Sequence, residues 1–254
     1  MVFVGPCLVR DESRFALIRT SLLFVVSDDA PTEYPSVSSD DFSGSKSMVN
    51  AIIEKGHRRI AVLTDNNANG KPNYQQRLAG YRASLSDHDI AFNPSFVHSL
   101  PVNFGDYLNS SEQLVKRHIL PLVQCRASML APQPTALFVL SDFLALPTMR
   151  VLWNSDIRIP QELSLASYGG WVVTKFMPVS IQSWVQPVRD LLKATISAIS
   201  CLLHDEPFPK TLTLSRTCTD GGHATAYAIS TRRLVVPGYL RAGQSLCTPG
   251  RQPD

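Results

Sequence analysis

The chain has 254 residues, 44% of them hydrophobic and 18% charged, which is enough apolar material for one large core or two small lobes. A formal net charge of +3, with Arg58-Arg59 and Arg232-Arg233 the densest basic pairs, is too small and too scattered to mark a nucleic-acid surface. No apolar run approaches the roughly 20 residues that cross a bilayer, and residues 1–10 are too short and wrongly flanked for a secretory signal, so a soluble, cytoplasmic protein without membrane contact is expected.

Residues 2–5 read as the end of a strand, residues 12–20 as a helix carrying Phe15, Leu17 and Ile18, and residues 22–26 as a buried strand running into Ser27-Asp28-Asp29-Ala30-Pro31. Asp28 there is either a turn cap before Pro31 or a polar contact at the strand end. Residues 34–81 carry the clearest pattern. A short strand leads into a helix with Phe42, Val49, Ile52, Ile53 and Gly56 on one face and Lys46, Asn50 and Glu54 turned outward. Gly56 suits the position just past a helix end, and His57-Arg58-Arg59 puts cations at the negative end of the dipole, where capping accounts for His57. Ile60-Ala61-Val62-Leu63 is then a continuous apolar run, as in a parallel strand covered on both faces. Residues 64–73 are all turn formers, and the helix after them carries Tyr74, Leu78, Tyr81 and Leu85 on one stripe.

Further on, residues 96–98 form a predicted strand and residues 106–124 a helix that buries Leu114, Val115, Ile119, Leu122 and Val123. Residues 135–140 are a buried strand that ends at Ser141, with Asp142 as the predicted cap of the following helix and Pro147 as a kink in it, at a cost of about 3 kcal/mol. Trp184 lies on a strand and reads as core. Val188, Leu191, Leu192, Thr195, Ile199, Leu202 and Leu203 form a helical stripe predicted to cover a sheet. Residues 211–217 are a terminal strand, and the turn-rich stretch after Gly221 reads as an irregular tail. The five cysteines show no CxxC and no His at metal-ligand spacing, so they read as reduced thiols, Cys201 on an apolar face. No metal or cofactor is expected.

Several of these segments together resemble the sensor domain of the lactose/galactose repressor family of bacterial transcription regulators. The resemblance runs through Asp40-Asp41, Lys55-Gly56-His57-Arg58-Arg59-Ile60-Ala61, and Arg77-Leu78-Ala79-Gly80-Tyr81. It continues in the strand ending Leu140-Ser141-Asp142, in Ile157-Arg158-Ile159-Pro160 leading to Ser167-Tyr168-Gly169-Gly170, and in Trp184-Val185-Gln186-Pro187. It implies an α/β, two-lobe periplasmic-binding-protein-like (type I) fold with parallel sheets flanked by helices. The expected boundaries are residues 1–64 and 187–205 for the N-terminal lobe, 74–168 and 210–220 for the C-terminal lobe, and 221–254 for the tail. Residues 64–73 would be the first crossing between lobes and residues 179–187 the second.

The resemblance further implies a small-molecule effector, sugar-like or another metabolite, held in an inter-lobe cleft by Arg77, Ser141, Asp28 and Gln186. Arg77 is the foremost of these, because its five donors in a fixed fork suit vicinal hydroxyls or a carboxylate. Two departures bear on the ligand. Ser141 stands where the family has Asn, and Gly169 stands where it commonly has the acid that grips the effector. Losing that acceptor forfeits about 1.5–3 kcal/mol for a charged hydrogen bond, and Trp171 would either fill the vacated space or pack as core. A homodimer is implied, with DNA bound only through a helix-turn-helix head absent from this chain; its N-terminal lobe is expected to be incomplete.

Two other readings use the same residues. A solute-binding protein of a transporter would share the fold. A cleft hydrolase would need a Ser/His/Asp set assembled in space, since GxSxG, HExxH, P-loop and GxGxxG signatures are all absent from the sequence.

Overall fold

The structure is a computed structural model, and it describes residues 2–4, 23–25, 35–65, 72–102, 107–124, 133–204, 206, 211–215, 223–230 and 233–249. The helix expected over residues 12–20, Asp28 and residues 216–217 of the predicted terminal strand lie outside the described residues. The chain divides into two compact units, one of Met1–Asp41, Lys71–Asn73 and Gln186–Tyr239, the other of Phe42–Gly70, Tyr74–Val185 and Leu240–Asp254.

The first unit carries β1 (Val2–Val4), β2 (Leu23–Val25), β3 (Ser36–Ser39), α6 (Val188–Leu203), β9 (Thr211–Ser215), β10 (His223–Ser230) and β11 (Arg233–Val236). Its strands run in the order β1-β2-β3-β11-β10-β9, parallel from β1 to β11 and antiparallel from β11 to β9. α6 packs against β2, β3, β9 and β11 through Leu191, Ala194, Thr195 and Ala198. The predicted stripe holds in part: Leu191 and Thr195 are buried, Ile199 and Leu202 half-buried, and Val188, Leu192 and Leu203 exposed. Ala194 and Ala198, which the stripe did not include, complete the buried face beside Leu191 and let the helix backbone approach the sheet.

The second unit contains α1 (Asp41–Glu54), β4 (Ile60–Asp65), α2 (Pro72–Asp87), β5 (Val97–Leu100), α3 (Tyr107–His118), α4 (Leu120–Gln124), β6 (Ala136–Val139), α5 (Asp142–Trp153), β7 (Ser164–Gly169), β8 (Gln182–Val185) and β12 (Tyr239–Arg241). The sheet order is β12-β8-β7-β6-β4-β5, with every pair from β8 to β5 parallel. Alternation explains why its strands read as unbroken apolar runs. Ile60, Val62, Ala136, Phe138 and Tyr168 face the cluster formed with α1 and α2, while Ala61, Leu63, Leu137, Val139 and Leu165 face the cluster formed with α3 and α5. Tyr81 closes the first cluster, its hydroxyl donating to the Ile60 carbonyl at 2.9 Å, and burial pushes its pKa up to about 12.

The structure departs from the sequence reading at five further places. The chain changes units at Asp41 and Phe42, so α1 and β4 belong to the second unit and not to an N-terminal lobe reaching residue 64, and β9 belongs to the first. Phe42, on the first turn of α1, is 36% exposed, while Met48, which the predicted face did not include, is fully buried. His57 is no exposed cap: it is buried, with Nδ1 2.9 Å from Thr135 Oγ1 and Nε2 2.7 Å from the Cys247 carbonyl oxygen. The capping falls to Arg58, which donates to the Ile53 carbonyl at 3.1 Å, beside Gly56 at φ +96. The predicted single helix over 106–124 is broken into α3 and α4 ahead of Pro121, whereas α5 continues through Pro147.

The last departure is the tail. Instead of an irregular stretch, it supplies β10, β11 and β12, followed by a strap that sews into the second unit. Leu165 N–H donates to the Ser245 carbonyl at 2.8 Å, Gln182 N–H to Ser245 Oγ at 2.8 Å, and Leu246 enters the core beside Ile60.

Candidate functional site

In a parallel sheet ligands bind outside the carboxyl ends of the strands, and in the second unit that edge is formed by the ends of β4, β6, β7 and β8. α2 delivers Arg77 to it. The side chain is only 5% exposed, and Nη1 donates to the Leu140 carbonyl at 2.7 Å, where β6 ends. Its Cζ lies 4.0 Å from the centre of the Tyr168 ring and 4.9 Å from that of Tyr74, so the guanidinium is fixed between the ends of β6 and β7. The backbone of the same turn is held by Ser45, whose hydroxyl donates to the Arg77 carbonyl at 2.6 Å.

Ser141 follows Leu140 and, with φ −154 and ψ 134, is itself the cap residue of α5; its carbonyl accepts from Leu144 and Ala145 at 3.1 and 3.0 Å. Asp142, the expected cap, is the first helical residue. Its carboxylate turns to the end of β7 and accepts the Trp171 N–H at 2.6 Å and the Ser183 hydroxyl at 3.2 Å. Gly169, at φ +140, faces that carboxylate: a Cβ added to it would stand 2.9 Å from Asp142 Oδ2. Trp171 neither fills the space beside Gly169 nor packs as core. It is 47% exposed and meets Phe143 edge to face.

The structure therefore brings Arg77, Ser141, Gly169 and Trp171 to one edge of the second unit. Gln186 lies in the first unit, half-buried, with its carbonyl accepting Val188 N–H at 2.9 Å. Sequence reasoning missed Tyr168, Phe143, Ser183 and Arg241. Tyr168 and Phe143 each stand beside a residue that it singled out. Ser183 and Arg241 act across the fold, Arg241 donating to the Gly170 carbonyl at 2.9 Å and to the Thr174 hydroxyl, and have no local signature. No group of three or more His, Cys, Asp or Glu able to hold a metal occurs among the described residues, and none of their helices is long and apolar enough to cross a membrane.

The sequence profile of the periplasmic binding protein-like domain matches residues 49–221, well over half the chain, and the chain belongs to that family. It is 28% identical over 223 residues to the ribose operon repressor of Haemophilus influenzae, covering 84% of this chain and 62% of that protein. It is 29% identical over 175 residues to a probable opine utilization operon repressor of Rhizobium rhizogenes, covering 66% of this chain and 80% of the relative. Among solved structures, a LacI-family regulator from Enterococcus faecium with bound ribose superposes with a TM-score of 0.72 at 17% identity, over 98% of this chain and 80% of that one.

Proposed function

We propose that this chain is the effector-sensing part of a bacterial transcription regulator, and that the carboxyl edge of the second unit's sheet binds a small metabolite. The observation that carries the reading is Arg77. A guanidinium held under a tyrosine ring and on a strand-end carbonyl is pre-organised toward one place, and such a fork recognises a carboxylate or paired hydroxyls. The effector would act by its differential affinity for two arrangements of the protein, the only way a ligand shifts an equilibrium. Control of DNA is assigned to a helix-turn-helix head of the intact regulator, acting as a cytoplasmic dimer, with no catalytic step. The relatives named as repressors support this over a solute-binding role in transport.

The test is calorimetric titration of the protein with small sugars and related metabolites, repeated on Arg77→Lys. The substitution keeps the charge and removes the fork. Affinity is expected to fall at least tenfold, about 1.4 kcal/mol, while the circular-dichroism spectrum of the unliganded variant is unchanged. Unaltered affinity would remove Arg77 from the site.

A further inference from the structure

α6 is apolar on more than the side that meets its sheet. Leu191, Ala194, Thr195 and Ala198 are buried against the first unit. Beside that face runs a second apolar row that stays in solvent. Val188, Leu192, Ile196 and Leu203 are 57–77% exposed, and Ile199, in line with them, is half-buried. The five follow one another at four, four, three and four residues, an eleven-residue repeat close to the turn of a straight helix. The row therefore keeps to one side along the whole of α6. Single exposed aliphatic side chains are ordinary on a protein surface, but five aligned on a helix of 16 residues, about 24 Å long, form an interaction surface.

The row is close to self-complementary. Its spacing runs four, three, four and four in the opposite direction, so an antiparallel copy sets Val188 against Leu203 and Leu192 against Ile199, with Ile196 beside its own counterpart at the two-fold axis. Charge selects the same direction. Arg189 and Lys193 are exposed on the N-terminal half of α6, while Asp190 between them is buried. The other end carries the negative pole of the helix dipole and the exposed Glu206, whose N–H donates to the Cys201 carbonyl at 2.9 Å and so keeps the acid beside the last turn. A parallel copy would set each cation against itself. An antiparallel copy sets both cations toward the partner's negative end.

We infer that two copies of this chain pair through α6, antiparallel about a two-fold axis near Ile196. One pair of helices of this length covers less than the roughly 800 Å² per partner of a standard interface, so the dimer is expected to dissociate in the micromolar range. The inference gives the dimer proposed above a surface and does not depend on the effector site, which lies in the second unit and is tested at Arg77.

Sedimentation equilibrium of the whole chain between about 1 and about 200 µM tests it, with a monomer–dimer equilibrium as the expected result. Ile196→Glu sets like charges together at the axis and should weaken association at least about tenfold. The position is 67% exposed, so the variant should melt near the parent, which separates lost pairing from lost fold. Arg189→Glu and Glu206→Arg should each weaken pairing about threefold or more, and the two together should restore it to within about twofold of the parent. Neither misfolding nor non-specific aggregation is reversed by exchanging two charges. A chain that stays monomeric to the top of the concentration range overturns the inference. So does a dimer that survives Ile196→Glu, which would place dimerisation on another surface, and so does a charge exchange that fails to restore pairing.

Discussion

Gly80 allows a sharp test of how the second unit holds its site. It lies on α2 one turn after Arg77, where α2 crosses the first turns of α1. A Cβ placed there would fall well inside contact distance of the Phe42 carbonyl oxygen and 3.0 Å from both Lys46 N and Ser45 Cβ. The first two obstacles are backbone, so the helices would have to separate; no side chain can swing aside to relieve them. Alanine gains about 1 kcal/mol over glycine within a helix. Overpacking costs about 1–3 kcal/mol, and a clash against backbone sits at the upper end. Gly80→Ala should therefore destabilise by about 2 kcal/mol net, lowering the melting temperature by about 4–8 °C for a chain of this size. Thermal melts followed by circular dichroism would read this, with Ala79→Gly as the control. Ala79 is exposed on the same helix, and its replacement should cost about 1 kcal/mol from propensity alone. If Gly80→Ala melts at or above the parent, propensity outweighs the crossing and the close contact of α1 with α2 is not what that glycine serves.

Two further outcomes follow from buried polar groups. Burial lowers the pKa of His57, opposed by the Cys247 carbonyl, and lowers that of His98, aided by the charge of His118 and opposed by the Ser95 carbonyl. Below the ordinary 6.5 the unfolded chain binds more protons than the folded one at both residues, so stability should be full above pH 6.5 and fall as pH drops below it, by at most about 1.4 kcal/mol per unit for each histidine. Urea midpoints at pH 7.5, 6.5 and 5.5 would measure the slope, and an unchanged midpoint at pH 5.5 contradicts it. The Ser167 hydroxyl on β7 is fully buried without a hydrogen-bond partner among the described residues. Ser167→Ala should raise the urea midpoint, by the equivalent of about 1 kcal/mol, because it removes an uncompensated polar group; a lower midpoint would mean that the hydroxyl has a partner.

Much of the second unit was legible because its strands are covered twice. Residues 60–63 and 136–140 are unbroken apolar runs, and only a parallel strand between two helical layers makes that pattern economical. The boundary between units was not legible. Turn formers occur both at 64–73, whose end Lys71–Asn73 belongs to the first unit, and around Asp41, where the chain first changes units at the start of α1. Ser, Asp and Gly serve a helix start as well as a turn, so their presence does not report which core the helix joins. The stripe of α6 was drawn too wide: Leu191 and Thr195 are buried as expected, but the face is centred on Ala194 and Ala198, so Val188, Leu192 and Leu203 at the stripe's margin are exposed.

Asp142 is where local reasoning and the fold diverge most instructively. Read along the chain, an aspartate just after a strand and at the head of a helix is a cap, and an acid missing at position 169 is a separate fact 27 residues away. In space the two are one arrangement. With Gly169 at φ +140, the volume in front of its Cα is occupied by the Asp142 carboxylate, which is drawn to Trp171 N–H. Ser141 supplies the extended backbone that starts α5 in its place. The helix forgoes a side-chain cap, worth about 1 kcal/mol, and the charged hydrogen bond to Trp171, worth about 1.5–3 kcal/mol, more than offsets it. The same bond fixes the direction in which the indole leaves the sheet. The residue that reads as helix punctuation thus sets the shape of the strand end, and neither its neighbours in sequence nor its own residue type carries that information.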